Sequence, residues 1–226
     1  MKKCPYSYAL PLAFSGSQLS RAEALARPTF VCAKGQSGFT LIELMMVLVL
    51  IAVLLGVGGP SFQSSLQRNR LQSAVNTVAT ALSFARAEAV IRSQPVSICP
   101  TIDTSSCSGS NWETGWLIFV DNNEGGGGAA SDGTLNGGEE LLRIGEPAPQ
   151  GVTVRTVNFP STAAIVFTDS GRVLQNISGT VTVCDERGVN EARALVVEVS
   201  GQARRAVDTD GNGVVEDDTV TAVTCP

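Results

Sequence analysis

The sequence predicts an α+β fold, in which one long helix precedes a series of antiparallel β-strands. An apolar run over residues 44–59 is followed by apolar residues that recur every three or four positions, which is the helical period. From residue 96 onward, short β-like runs are separated by Gly, Asn, Asp and Ser, a pattern typical of strands and turns. The chain of 226 residues contains 23 glycines and 10 prolines, which also indicates a turn-rich domain.

The first part of the predicted helix has the length of a membrane span. Residues 39–62 would form about 36 Å of helix at roughly 1.5 Å per residue, and a bilayer core is about 30 Å thick. A cleaved secretory signal peptide would require a small-x-small site after the run, and a core helix of a small domain would have a polar side. The run has neither feature, so we expect a transmembrane segment.

The second part of the helix is amphipathic. Its apolar residues recur at spacings of four and three: Leu71, Val75, Val78, Leu82, Ala85 and Ala89. We expect this stripe to pack on the chain's own sheets, with a coiled coil as the alternative, and Pro95 to close the helix. The glycines and the proline within residues 56–60 predict a bend or local unwinding there. The predicted helix covers residues 39–92.

Eight short strands are predicted after the helix, at residues 95–99, 116–120, 140–144, 152–159, 163–168, 180–184, 194–200 and 220–225. The segment between the second and third strands, residues 121–140, is polar and rich in Gly. We expect it to be a flexible, solvated loop. The alternative is that its acidic and amide side chains gather around Ca²⁺.

Charge is distributed unevenly along the chain. Residues 1–38 have a net charge of +4, whereas residues 39–226 have 11 Arg, no Lys and 20 acids, a net charge of −9. A basic segment before an apolar run is expected to stay on the cytoplasmic side of a membrane. The acidic remainder is suited to a solvated domain and argues against general affinity for nucleic acid.

The composition also argues against an enzyme. The sequence contains no His, which removes the commonest general base and the commonest neutral metal ligand. No CxxC pair is present to form a zinc site. We therefore expect neither catalytic activity nor a cofactor.

One acidic segment, DTDGNGVVEDD at residues 208–218, partly matches a calcium loop. Asp208, Asp210 and Asn212 match the first, third and fifth positions of the EF-hand pattern, and Gly213 matches its glycine. The twelfth position is Thr219, so the usual bidentate Glu is missing. An acidic turn without metal is the favoured interpretation, and Ca²⁺ binding is the alternative.

The motif G-F-T-L-I-E at residues 38–43, followed by the apolar run and Pro60, resembles the processing site of type IV pilins and pseudopilins. The resemblance implies that a prepilin peptidase cuts between Gly38 and Phe39, and that the new amino terminus of Phe39 is N-methylated. Residues 1–38 would then be a cleaved leader, and residues 39–62 the membrane anchor and filament core. Residues 63–226 would form the headgroup of a pilin-like fold.

Glu43 is the one charged residue within this amino-terminal anchor. A carboxylate in hydrocarbon costs about 2.5–3.5 kcal/mol on insertion scales, so the presence of Glu43 in this segment requires an explanation. The resemblance implies that Glu43 meets the positively charged amino terminus of a neighbouring subunit during assembly. The alternative is an interfacial acid that reaches back to water.

Three further motifs resemble the GspH/FimT group of minor pilins and pseudopilins: ARAEAVIRSQPVSIC at residues 85–99, WETGWLIFVD at residues 112–121 and GEELLR at residues 138–143. The resemblance implies a minor pilin that is incorporated into a type IV pilus and helps to initiate its assembly. It also implies a place in the bacterial inner membrane, with the headgroup in the periplasm. The implied partners are the prepilin peptidase and other pilin or pseudopilin subunits.

The same resemblance leaves two alternative functions. One is a minor pseudopilin of a type II secretion system. The other is a minor pilin that binds DNA during natural transformation, through a Gly-Arg-x-Arg motif near the carboxyl terminus. The matching segment here is GQARR at residues 201–205, where Arg204 and Arg205 would be the DNA-binding residues. A turn with two solvated arginines is the simpler interpretation.

Four cysteines remain after the predicted leader, and an even number in an exported domain predicts two disulfides. Three pairings are possible. We favour Cys99 with Cys107, which closes a short loop, and Cys184 with Cys225, which fastens the carboxyl terminus to a strand.

Overall fold

The structure, a computed structural model, describes residues 38–126, 128–159 and 164–226, and for residues 57–61 it describes the backbone only. Apart from Gly38, the predicted leader lies outside the described residues. The chain divides into two compact units, Met1–Leu55 and Gly56–Pro226, which are described separately here.

Helix α1 extends over Leu41–Arg92. In the first unit, the apolar side chains from Phe39 to Leu55 are exposed to solvent. Within the described residues, no helix combines the length and the apolar character needed to cross a membrane. The helix is continuous through residues 56–60, so the local unwinding predicted there from the sequence is not observed.

The second unit contains, within the described residues, eight strands in two four-stranded antiparallel sheets. The strands are β1 Val96–Pro100, β2 Trp116–Val120, β3 Leu141–Gly145, β4 Val152–Val157, β5 Ile165–Phe167, β6 Gly179–Asp185, β7 Arg193–Val197 and β8 Ala203–Arg205. The first sheet has the order β3-β2-β1-β5, and the second has the order β4-β6-β7-β8. The α+β prediction, with a helix followed by antiparallel strands, is confirmed.

The eighth strand lies elsewhere than predicted. The apolar pattern predicts it at residues 220–225, but β8 is Ala203–Arg205, which pairs with β7 across the turn at Gly201. Residues 220–225 contribute only an isolated bridge between Glu216 and Ala222. A tight turn lies between these two residues, in which the Asp217 carboxylate accepts hydrogen bonds from the N–H groups of Thr219 and Thr221.

The main core lies between α1 and the inner faces of both sheets. The predicted apolar stripe of α1 is buried throughout, from Leu71 to Ala89. Trp112 and Trp116 are also buried, and the Trp116 ring occupies the space that a side chain at Gly145 would need. The second half of α1 is therefore held by its own domain, as its period predicts.

The Gly-rich loop of residues 121–140 is anchored by buried carboxylates. Asp121 is fully buried and accepts hydrogen bonds from Ser97 Oγ at 2.6 Å and from the Gly133 N–H at 2.8 Å. Glu139 is buried and accepts from the N–H groups of Asn123 and Asn136. The expectation of a solvated loop is wrong for these two side chains, because backbone donors of the loop itself compensate their burial.

Two disulfides join the pairs favoured from the sequence, Cys99 with Cys107 and Cys184 with Cys225. The first closes a short loop after β1. The second fastens the carboxyl-terminal segment to β6, where Cys184 and Val223 belong to a small separate core. The end of the chain is thus covalently fixed to the second sheet.

Candidate assembly site

The predicted processing site lies at the start of α1. Gly38 and Phe39 precede the helix and are exposed. No atom of the described residues lies within 4 Å of the position that a Cβ on Gly38 would occupy. Thr40 is the amino-terminal cap, because its Oγ1 accepts a hydrogen bond from the Glu43 N–H at 3.2 Å. The sequence T-L-I-E thus begins the helix directly after the predicted cleavage position.

Glu43 lies in the first turn of α1 and is exposed. A carboxylate there is favoured by the helix dipole, whose positive end is at the amino terminus. Within the described residues, no Arg lies within ion-pair distance of Glu43. The neighbouring side chains, including Leu41, Ile42 and Leu44, are apolar and exposed. The chain therefore presents an unpaired carboxylate on an apolar helix surface.

The two arginines of the possible DNA-binding motif do not form an open cationic pair. They lie on β8, where Arg204 Nε donates to Glu198 Oε1 at 2.8 Å. Arg205 donates from Nη2 to Asn76 Oδ1 of α1 at 3.1 Å. One charge is thus paired with a carboxylate, and the other side chain is held against the helix. The segment contains the hairpin turn expected from the sequence, at Gly201, but both arginines lie on the strand that follows it.

The acidic segment that partly matches a calcium loop brings Asp208 and Asp210 near Glu216. These are the only three carboxylates of the described residues close enough to hold a metal together, with oxygens within 4.8 Å of one another. Glu216 is buried and accepts from the N–H and hydroxyl groups of Thr209. Glu216 stands at position nine of the EF-hand pattern, whose ligand often binds through water, so a comparison of positions one, three, five and twelve does not reveal it.

The same carboxylates already have donors within the segment. Asp208 accepts hydrogen bonds from the N–H groups of Gly213 and Gly211, and the Gly213 bond is the main reason why its pKa lies below the ordinary value. Asn212 donates its amide to Asp210 and accepts from the Val214 N–H, so its side chain closes a turn. This geometry accounts for the acidic residues as turn-forming groups.

Helix α1 is fastened to two loops, one after β5 and one between β7 and β8, by Arg86, a residue that no sequence pattern singles out. Its Nε donates to the carbonyl oxygens of Gly171 at 3.0 Å and Ser200 at 3.1 Å. Gly201 has a φ of +77°, and a side chain there would collide with the Gly171 carbonyl. A single Arg on a helix gives no sequence signal for such a contact, because its partners are backbone atoms.

Comparison with known proteins agrees with these observations. Residues 74–203 match the family described as type II transport protein GspH. Residues 33–59 match the prokaryotic N-terminal methylation motif, which includes the predicted processing site. No curated protein matches the chain.

Two solved structures are similar to the described fold. One is the type IV minor pilin FimU of Pseudomonas aeruginosa, with 23% identity, a TM-score of 0.47, and coverage of 62% of this chain and 91% of FimU. The other is the minor pseudopilin EpsH from the type II secretion system of Vibrio cholerae. It has 10% identity, a TM-score of 0.41, and coverage of 62% of this chain and 99% of EpsH.

The family assignment rests on the match at residues 74–203, which spans more than half of the chain. The methylation motif at the start of α1 is the second, independent match. Proteins of this kind are structural subunits that assemble with other pilin-like subunits. The chain belongs to the GspH family and is a minor pilin or pseudopilin of the type IV pilus or type II secretion family.

Proposed function

We propose that this chain is a minor pilin, incorporated into a type IV pilus and helping to initiate its assembly. The observation that carries the proposal is the unpaired carboxylate of Glu43 at the capped start of α1, on a surface of exposed apolar side chains. An apolar surface of this size is stable in a membrane or between subunits, and not in water.

Processing precedes assembly in this proposal. A prepilin peptidase removes residues 1–38 by cutting between Gly38 and Phe39, and the Phe39 amino group is then methylated. The apolar sequence of residues 39–62 holds the subunit in the inner membrane, with residues 63–226 in the periplasm. The match to the N-terminal methylation motif supports this order of events.

Glu43 then acts at the moment of assembly. The amino terminus of Phe39 in one subunit carries a positive charge, and Glu43 of the next carries a negative charge. In an apolar environment, an unpaired charge of either sign is energetically costly, and an ion pair between the two groups offsets that cost. The pairing therefore favours transfer of a subunit from the membrane into the filament at the correct axial position.

The test is a comparison of Glu43→Ala and Glu43→Gln with wild type in the native host. Loss of the leader is followed by mass, and incorporation by the amount of the chain in sheared filaments. We expect normal cleavage, and a depletion of about tenfold or more in the filaments, because a buried charge loses its partner. Glu124→Ala, which removes an exposed acid of the Gly-rich loop, is the control. Normal incorporation of both Glu43 variants would contradict the proposed role.

A second candidate function is a minor pseudopilin of a type II secretion system. The description of the matching family as a type II transport protein supports it. The same Glu43 variants distinguish the two candidates when pilus formation and protein secretion are measured in parallel. A defect in piliation with normal secretion supports the pilus, and the reverse result supports the secretion system.

A further inference from the structure

The exposed face of α1 in the second unit is free of acidic residues. From residue 44 to residue 87 the chain contains no Asp or Glu, although residues 39–226 have a net charge of −9. Between residues 71 and 87, small or polar exposed residues follow one line along the helix: Ser73, Asn76, Thr80, Ser83 and Ala87. We name these five residues the α1 seam. A surface of small side chains allows another backbone to approach closely.

The polar groups of the α1 seam are largely satisfied by α1 itself. Thr80 Oγ1 donates to the Asn76 carbonyl at 2.8 Å, and Ser83 Oγ donates to the Ala79 carbonyl at 2.8 Å. The Asn76 side chain accepts from Gln72 Nε2 at 2.9 Å. Because these groups already have partners, covering them with another protein costs little desolvation.

Two arginines flank the α1 seam, Arg143 from β3 and Arg205 from β8. The Arg143 guanidinium lies 5.6 Å from the ring centroid of Phe84 and 5.8 Å from that of Trp116. Two aromatic rings hold this exposed cation in place, so little conformational freedom is left to lose when it binds a partner. Arg205 is held by its bond to Asn76.

Neither flanking arginine has a carboxylate partner within the described part of the chain. The ion pairs of the second unit engage four arginines, Arg92, Arg155, Arg187 and Arg204. Within the described residues, five further arginines also have no carboxylate partner: Arg68, Arg70, Arg86, Arg172 and Arg193. What distinguishes Arg143 is its fixed position over two aromatic rings beside the α1 seam, where an acid of another molecule can pair with it.

A groove of about 260 Å³ lies between Arg143 and the helix. It is lined on the helix side by Ser73, Asn76, Thr77 and Thr80, and on the sheet side by Trp116 and Arg143. The groove is wide enough for a side chain, with the guanidinium at its rim. Its composition fits a carboxylate carried on a polypeptide that lies along the α1 seam.

We propose that the α1 seam docks an acidic segment of a neighbouring filament subunit, one carboxylate of which pairs with Arg143 in the groove. The inference rests on the proposed function, since it needs a neighbour in a filament. Arg143 fixes which neighbour is accepted, because an acid at the matching position is required. Glu43 and Phe39 would act with any pilin-like subunit.

A polypeptide fits this surface better than DNA does. Two flanking cations release few counterions, and residues 39–226, with a net charge of −9, repel a phosphate backbone. The small neutral residues between the arginines suit helix or strand packing, and they add no positive charge for a row of phosphates.

The test uses the full chain in its native host, with a benzophenone amino acid at Thr80 for photo-crosslinking. We expect a crosslink to another pilin-like subunit, identified by mass. Arg143→Glu should lower its yield about tenfold or more, because like charges then meet, and Arg143→Gln should lower it less. Arg172→Glu is the matched control, since Arg172 is also exposed and also lacks a carboxylate partner among the described residues.

The outcomes separate this inference from the proposed function. Retention of both disulfides in non-reducing gels shows that the variants have folded, and Arg143→Gln keeps a planar group over the rings if Arg143→Glu does not fold. An unchanged crosslink in Arg143→Gln and Arg143→Glu, with normal incorporation into filaments, overturns the inference and leaves the function standing. A crosslinked product that nuclease removes overturns it in favour of DNA. Absence of the wild-type chain from filaments overturns the proposed function itself.

Discussion

At the residue scale, the described domain relies on buried carboxylates whose partners are neutral. Asp121 accepts three hydrogen bonds, from Ser97 Oγ and from the N–H groups of Asp132 and Gly133. No cation pairs with it in the described structure. The geometry suits a carboxylate, since both oxygens face donors. The Gly-rich loop is therefore shaped by a side chain at its start.

Asp121→Asn should destabilise the domain by about 1–3 kcal/mol, because an amide N–H₂ would then face a backbone N–H. Ser97→Ala removes a single hydrogen bond of the same network and should cost about 1 kcal/mol. Denaturant unfolding of the processed, detergent-solubilised protein measures both differences. Equal stability of Asp121→Asn and wild type would show that the loop does not depend on this carboxylate.

The residues that can be predicted from the sequence are those that belong to a short motif with a fixed spacing. Gly38, Phe39 and Glu43 fall within one short motif, and the match at residues 33–59 covers it. Arg86 and Arg143 were missed because their partners are backbone atoms and ring faces that are distant in the chain. Such contacts follow from the fold, and a pattern of residue types does not encode them.

At the element scale, the carboxyl-terminal segment covers the outer face of the second sheet. Val223 is buried with Cys184, Ala192 and Ala194 in a small core of its own. The Asp218 carboxylate accepts from Ser178 and Thr180 hydroxyls next to β6. The sequence predicts a strand here from alternating apolar residues, but the turn at Asp217 and the disulfide at Cys225 leave an irregular strap instead.

The two disulfides should differ in their contribution to stability. Cys184 and Cys225 are 41 positions apart, and Cys99 and Cys107 are 8 apart. In the chain-entropy model, removing the first costs about 4 kcal/mol and removing the second about 2.5 kcal/mol, because a longer loop constrains the unfolded chain more. We predict a larger fall in Tm for Cys184→Ser/Cys225→Ser than for Cys99→Ser/Cys107→Ser.

Thermal unfolding of both double variants checks this order, with the oxidised wild type as the reference. A larger loss in Cys99→Ser/Cys107→Ser would mean that the loop after β1 contributes through packing of the native state. The strap at the carboxyl terminus would then be held by Asp218 and Val223 without help from the disulfide.

The bounds of the helix and of most strands can be predicted from the sequence. The helix and the first seven strands follow the apolar period closely, because each buries one side against a common core. Strand β8 was missed because it is three residues long and contains two arginines. Its position follows from the β7–β8 turn at Gly201, which is a tertiary feature.

At the scale of the whole molecule, charge and apolarity are separated along the chain. The apolar residues near Glu43 are exposed, the core of the second unit is buried, and the acids lie mainly after residue 87. This separation agrees with a subunit that is inserted, processed and then assembled. It is visible in the sequence, but the choice of filament depends on partners, which a single chain does not contain.

The absence of Lys from residues 39–226 gives the processing step a specific chemical readout. Lys2, Lys3 and Lys34 all lie in the predicted leader. After cleavage, the amino group of Phe39 is the only primary or secondary amine in the chain, since Arg does not react with amine reagents under mild conditions. One amine-directed label per molecule is therefore expected on the mature protein.

The most direct measurement is the intact mass of the chain recovered from sheared filaments, before and after reductive methylation. We predict a chain of residues 39–226 that carries one methyl group on Phe39 and two intact disulfides, and that gains only one further methyl group in the reaction. A filament-bound chain that retains Lys34, or that begins at another residue, would contradict assembly through Phe39 and Glu43.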